Sequence, residues 1–140
     1  MYRRRDVIDV EAAAKRSAPL EKPNIVWDLD GVLAEQAWPE IGKPIPWAVE
    51  LFKECQQAGH LCIIYTSRDG WHLPAIRDFC NSWGIVPDEV VTGKPLGILI
   101  DDLAVNPGST QGLGVRSAIG ELCRKMQRLW NANLEGAKRR

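Results

Sequence analysis

Two histidines and four cysteines are few for a chain of 140 residues. Cys55, Cys62, Cys80 and Cys123 form no CxxC pair and have no histidine at zinc spacing, so neither a zinc framework nor a disulfide scaffold is expected. Buried, reduced thiols are expected instead. No apolar stretch follows the basic start Met1-Tyr2-Arg3-Arg4-Arg5-Asp6, so no secretory leader is read. No run approaches the ~18 apolar residues of a membrane span. Together these absences point to a soluble, cytoplasmic protein with no membrane partner. No internal repeat or low-complexity tract is visible. A composition 45% hydrophobic and 26% charged excludes a collagen-like repeat and a disordered tail of one charge sign.

Net charge is also lacking, because eighteen Lys and Arg offset eighteen Asp and Glu. That neutrality is a cancellation. Residues 23–112 carry −7, residues 1–22 carry +2 and residues 113–140 carry +5. An acidic centre with basic ends leaves a polyanionic substrate or partner open.

The length suits one domain, since ~100–200 residues is the usual span. Residues 1–22 read as a basic arm with a short helix or mobile stretch at Val10–Arg16, residues 23–134 as the folded domain, and 135–140 as a basic tail. Asn24-Ile25-Val26-Trp27 is a short β-branched run that stops at Asp28-Leu29-Asp30-Gly31, which predicts a strand. Pro39, Gly42, Pro44 and Pro46 make residues 34–46 a loop or flap. Ala48, Leu51, Phe52, Cys55 and Ala58 recur at helical spacing, with Pro46 near the start and Gly59 at the end. A second strand is expected over His60–Tyr65, followed by a helix carrying Ile76, Phe79, Cys80 and Trp83 and stopped by Gly84. Glu89–Val91 is a third expected strand and Gly97–Ile100 a fourth. A loop over 106–114 then leads to a last helix with Val115, Ile119, Leu122, Met126, Leu129 and Trp130 on one face.

Strands alternating with amphipathic helices predict an α/β, Rossmann-like, doubly wound domain: a mostly parallel sheet with helices on both faces. In such sheets ligands bind beyond the carboxyl ends of the strands. Asp28, Asp30, Thr66, Asp101 and Asp102 all directly follow expected strands, so they are expected to converge. Four carboxylates at one edge repel one another, and a cation relieves the conflict. All-oxygen ligands suit Mg²⁺. The Thr66 hydroxyl, the amides near Ser67 and the ammonium of Lys94 suit phosphate oxygens. Carboxylates, Mg²⁺, a hydroxyl and a lysine together describe a phosphoryl-transfer site.

The chain resembles the haloacid dehalogenase (HAD) superfamily of phosphohydrolases. Four ordered motifs carry the resemblance, over about residues 24–105: Ile25-Val26-Trp27-Asp28-Leu29-Asp30-Gly31-Val32, Tyr65-Thr66-Ser67-Arg68, Lys94 in a Gly-Lys-Pro setting, and Ile100-Asp101-Asp102. A receiver domain uses the same residue types in another order, with its acidic pair first. The resemblance implies that Asp28 is the nucleophile that forms an aspartyl-phosphate, and that Asp30 is the general acid and then base. It implies that Gly31 gives room for the turn, and that Thr66, with the neighbouring Ser67 region, and Lys94 hold the phosphoryl group. Mg²⁺ is then held by the Asp28 carboxylate, the Asp30 carbonyl and Asp101, with Asp102 as ligand or support. Arg68 either pairs locally with Asp69 or meets the substrate.

Thirty-five residues separate Asp30 from Thr66 and 27 separate Thr66 from Lys94, too few for an inserted cap. A capless site is expected, covered only by the flap or by a neighbouring subunit of a homo-oligomer. Trp38 and Trp47 either contact substrate from the flap or pack on the adjacent helix, and His72 either lines the mouth or lies on the surface. The resemblance implies large substrates such as nucleic-acid ends and phosphoproteins for capless members, while small forms associated with capsule and sugar biosynthesis share the same motif settings. The expected substrate is therefore a phosphorylated small metabolite, a sugar phosphate or a nucleic-acid end. The competing class is a non-catalytic module of the same fold that binds nucleic acid or a protein partner through its basic ends.

Overall fold

The computed structural model describes residues 22–138. The expected helix at Val10–Arg16, the rest of the basic arm up to Glu21 and the last two arginines lie outside the described residues. What is described falls into two compact units, Asn24–Ile98 and a second that comprises residues 22–23 and the chain from Leu99 onward. The boundary falls inside the stretch expected as one domain.

The first unit alternates strand and helix: β1 (Ile25–Trp27), α1 (Pro46–Gln57), β2 (Cys62–Tyr65), a 3₁₀ turn (Gly70–His72), α2 (Leu73–Ser82) and β3 (Glu89–Val91). The three strands form a parallel sheet in the order β1-β2-β3, in register at Val26↔Ile63 and Ile64↔Val90. Parallel neighbours need long crossovers, and α1 and α2 supply them. This is the small Rossmann-like α/β domain that the alternation of patterns predicts.

Proline at the first helical position starts α1, where its missing N–H costs nothing. Ala48, Leu51, Phe52 and Cys55 then line its buried face. Gly59, at φ +98, turns the chain left-handed toward β2, a conformation that a Cβ would penalise. Ile76, Phe79 and Cys80 are the buried stripe of α2. These side chains meet Trp27, Ile63 and Ile64 of the strands to make one core, in which the Trp27 and Phe52 rings lie 5.3 Å apart. Burial of each large apolar side chain contributes ~1.5–3 kcal/mol. At the amino end of the sheet, the Asp88 carboxylate accepts the Cys62 amide at 2.7 Å and the Gln56 side-chain amide at 3.2 Å. Those contacts tie α1, β2 and the start of β3 together. All four cysteines are free thiols, as expected, and Cys55, Cys62 and Cys80 are buried.

The fourth expected strand is a correction. Gly97–Ile100 forms no strand, and Leu96, Ile98, Leu99 and Ile100 are all largely exposed. A short apolar run records a preference for burial, and it carries no signal for the partner edge a strand must pair with.

The second unit is dominated by α3 (Pro107–Lys138). It starts well before the expected helix, because Pro107 suits a first turn and three glycines that read as a loop are tolerated inside it. Of the expected apolar stripe Val115 is buried, Ile119 and Leu122 are half-buried, and Met126 and Leu129 are exposed. No helix among the described residues is long and apolar enough to cross a membrane.

Candidate functional site

Asp28 is the first residue beyond β1. The chain then curls into a tight turn in which the Leu29 carbonyl accepts the amides of Leu33 and Ala34, both at 3.0 Å. Gly31 sits in that turn at φ +86, a left-handed conformation natural only to glycine. Buried Leu29, Leu33 and Ala34 anchor the turn in the core, which leaves Asp28 and Asp30 half-buried at the rim. The flap follows as a narrow loop, closed at its base by Glu35 N–H to Lys43 O at 2.8 Å and Ile45 N–H to Leu33 O at 2.8 Å.

Thr66 directly follows β2 and is 1% exposed. Its amide donates to Val91 O, and its hydroxyl oxygen accepts the Arg68 amide at 3.2 Å. The loop after β3 is laced to the same stretch, by Gly93 N–H to Arg68 O and Lys94 N–H to Thr66 O, both 2.9 Å. These bonds deliver Lys94 across the end of the sheet, where its ammonium lies 3.0 Å from Asp28 Oδ1 and 5.8 Å from the centre of the Tyr65 ring. The same Asp28 oxygen accepts the Leu29 amide at 2.9 Å. Asp28, Asp30, Thr66, Ser67, Arg68 and Lys94, drawn from three separate sequence segments, therefore meet at the carboxyl ends of β1, β2 and β3.

Arg68 pairs neither with Asp69 nor with open solvent. Its guanidinium is 3% exposed and forks onto Asp30, Nε to Oδ2 at 2.9 Å and Nη2 to Oδ1 at 2.8 Å. It also donates to the carbonyls of Pro39 and Glu40 on the flap, both at 2.8 Å. The Trp38 ring stacks against it, with Cζ 4.8 Å from the ring centre. The hydrogen-bonded Asp30 carboxylate raises the Arg68 pKa above its ordinary value. Two carboxylates and two cations thus compensate one another locally. Trp47 is the second residue of α1 and half-buried, away from the flap on which it was placed.

Asp101 and Asp102 belong to the second unit and follow no strand. Asp101 Oδ1 accepts the Leu103 amide at 2.9 Å, the local cap of a turn. Asp102 lies 3.3 Å from the Lys125 ammonium, which holds its carboxyl below the usual range. Among the described residues no three His, Cys, Asp or Glu side chains group closely enough to hold a metal ion. The oxygen donors of Asp28 and Asp30 have the chemistry that Mg²⁺ prefers, and they are half of the expected ligand set.

A groove of about 420 Å³ lies between flap residues Ile41–Pro44 and the α2 residues Ala75, Asp78 and Phe79. It contains none of the expected site residues.

No family model matches the chain, and no curated protein matches it. Among solved structures, it is similar to a protein from Vibrio cholerae, with 26% identity and a TM-score of 0.59, over 74% of this chain and 98% of that one. A conserved protein from Bacteroides thetaiotaomicron matches at 26% identity and a TM-score of 0.41, over 56% of this chain and 81% of the other. The first likeness agrees with the α/β fold.

Proposed function

We propose that this chain is a phosphomonoester hydrolase of the HAD kind, working through an aspartyl-phosphate on Asp28. The observation that carries the reading is the meeting of Asp28, Asp30, Thr66 and Lys94 at the carboxyl ends of a parallel sheet, with Lys94 3.0 Å from Asp28. A carboxylate oxygen of Asp28 attacks phosphorus, and the bond from phosphorus to the leaving oxygen breaks. Asp30 gives its proton to that oxygen. Water then attacks the acyl phosphate and yields its proton to Asp30, which frees inorganic phosphate. Lys94 and the Thr66 region stabilise the charge on the transferring group.

Asp30 needs a free oxygen to carry that proton, so one of its two contacts with Arg68 opens during the cycle. Mg²⁺ is the cation this donor chemistry suits. Asp28 and the Asp30 carbonyl would hold it, and it would supply Lewis-acid neutralisation of the phosphate. The buried free thiols and the lack of a membrane-crossing helix among the described residues support a cytoplasmic setting. The test is phosphate release, with Mg²⁺, from p-nitrophenyl phosphate and a broad phosphoester panel. Turnover that Asp28→Asn abolishes is expected; no release from any ester overturns the reading.

A further inference from the structure

Beside Asp30 lies a group of rings with no role in that chemistry. Trp38 is 66% exposed and Trp71 80% exposed, and they flank His72, with ring centres 5.3 Å and 6.0 Å away at tilts of 49° and 54°. Two indoles left this open at the rim of a polar site are costly in water unless something covers them. Their position is also fixed. Arg68 stacks under Trp38 at 4.8 Å while the same guanidinium holds both oxygens of Asp30, so a single side chain sets the distance from acid to ring. The Nδ1 of His72 is buried and has no hydrogen-bond partner among the described residues. Buried polar atoms nearly always have a partner, so an orphaned one inside a ring cluster points to a missing polar group.

We propose that Trp38, His72 and Trp71 form a leaving-group subsite that takes phosphomonoesters whose alcohol carries a ring with a stackable face and polar substituents. The chemistry is shared by nucleosides and pyranoses: a ring face lies on an indole, and a ring substituent reaches the imidazole. It rests on the phosphatase reading only in calling the ligand a leaving group. With the phosphate at Asp28 and Lys94, the ester oxygen faces Asp30 and the carbon skeleton extends over Arg68 onto Trp38. An open, capless site has few other ways to grip a small alcohol, which makes the rings the determinants of specificity.

The experiment measures equilibrium binding, and separately kcat and KM, for adenosine monophosphate, glucose 6-phosphate and the acyclic control glycerol 3-phosphate. Stacking on one aromatic side chain is worth ~1–3 kcal/mol, or roughly 5- to 150-fold in affinity. The expected result is a preference of that size for at least one ring-bearing ester, and which ester shows it identifies the source of the ring. Trp38→Ala and Trp71→Ala each reduce the preference at least fivefold, and Trp38→Phe restores part of it. Equal affinity for all three esters overturns the proposal, as does a preference that survives both alanine variants. Ring-dependent binding without any turnover upholds the subsite and removes the phosphatase reading instead.

Discussion

Arg68→Met tests most directly how the site is held together. The substitution keeps an unbranched apolar stem and deletes a guanidinium that makes four hydrogen bonds. Removing one partner of a buried ion pair costs ~3–5 kcal/mol when the other charge is stranded away from water. Asp30 is not fully stranded, because its side chain retains 20% exposure. Pro39 and Glu40 are exposed, so water replaces the guanidinium at both flap carbonyls. The expected loss is therefore roughly 2–3 kcal/mol, below the fully buried figure. For a chain of this size that lowers Tm by roughly 6–12 °C. Urea unfolding followed by tryptophan fluorescence gives the free energy, and limited proteolysis reports the flap, where cleavage near Trp38–Glu40 should accelerate. Arg68→Lys should recover less than half of the loss, since one ammonium cannot reproduce the fork and both carbonyl contacts. Combined with Asp30→Asn, the two losses should fall short of additive by ~1–2 kcal/mol. A loss under ~0.5 kcal/mol, the level of an ordinary surface change, would refute the claim that Arg68 clamps acid and flap.

Other consequences follow from the same geometry. Lys94→Ala removes the only cation 3.0 Å from Asp28 among the described ion pairs, and kcat should fall ~10²–10³-fold with the circular-dichroism spectrum unchanged; retention within tenfold would count against its role. Burial pushes the Cys62 thiol up to about 12 and the Cys80 thiol up to about 11. Both lie above the ~8.5 of an exposed thiol, so the stability they lend is whole below that pH and is lost as pH rises toward the folded values. The urea midpoint should drop between pH 8.5 and 10.5, and Cys80→Ala should flatten the slope. Gly31→Ala meets the flexible tip of Gln36 at 2.9 Å, which can move aside, but φ +86 remains unfavourable. A loss of ~1–2 kcal/mol is expected in urea unfolding, and Gln36→Ala should not rescue it.

Much of this arrangement is legible in the sequence because its signals are local. The β-branched runs at Ile25–Trp27 and Glu89–Val91, and the helical stripes with Pro46 and Gly84 as bounds, became the elements expected of them. Asp28, Thr66 and Lys94 were findable because each directly follows, or lies within a few residues of, a strand in a parallel sheet. Arg68 shows where local reading fails. Asp69 is its neighbour in sequence, yet its partner is Asp30, 38 positions earlier, because the turn after β1 and the loop after β2 meet only once the strands pair. Gly97–Ile100 failed for the related reason that apolar character does not specify a pairing edge. The stack of Trp38 on Arg68 carried one weak hint, a tryptophan in a proline-rich flap, which fitted core packing equally well.

The central claim is that Asp28 carries the phosphoryl group. A single turnover with p-nitrophenyl phosphate and Mg²⁺, quenched in acid, followed by peptide mass spectrometry, tests it most directly. The account predicts one phosphoryl adduct, on the peptide bearing Asp28, and its loss in Asp28→Asn together with turnover. Undiminished hydrolysis by Asp28→Asn, or an adduct on another side chain, would contradict it.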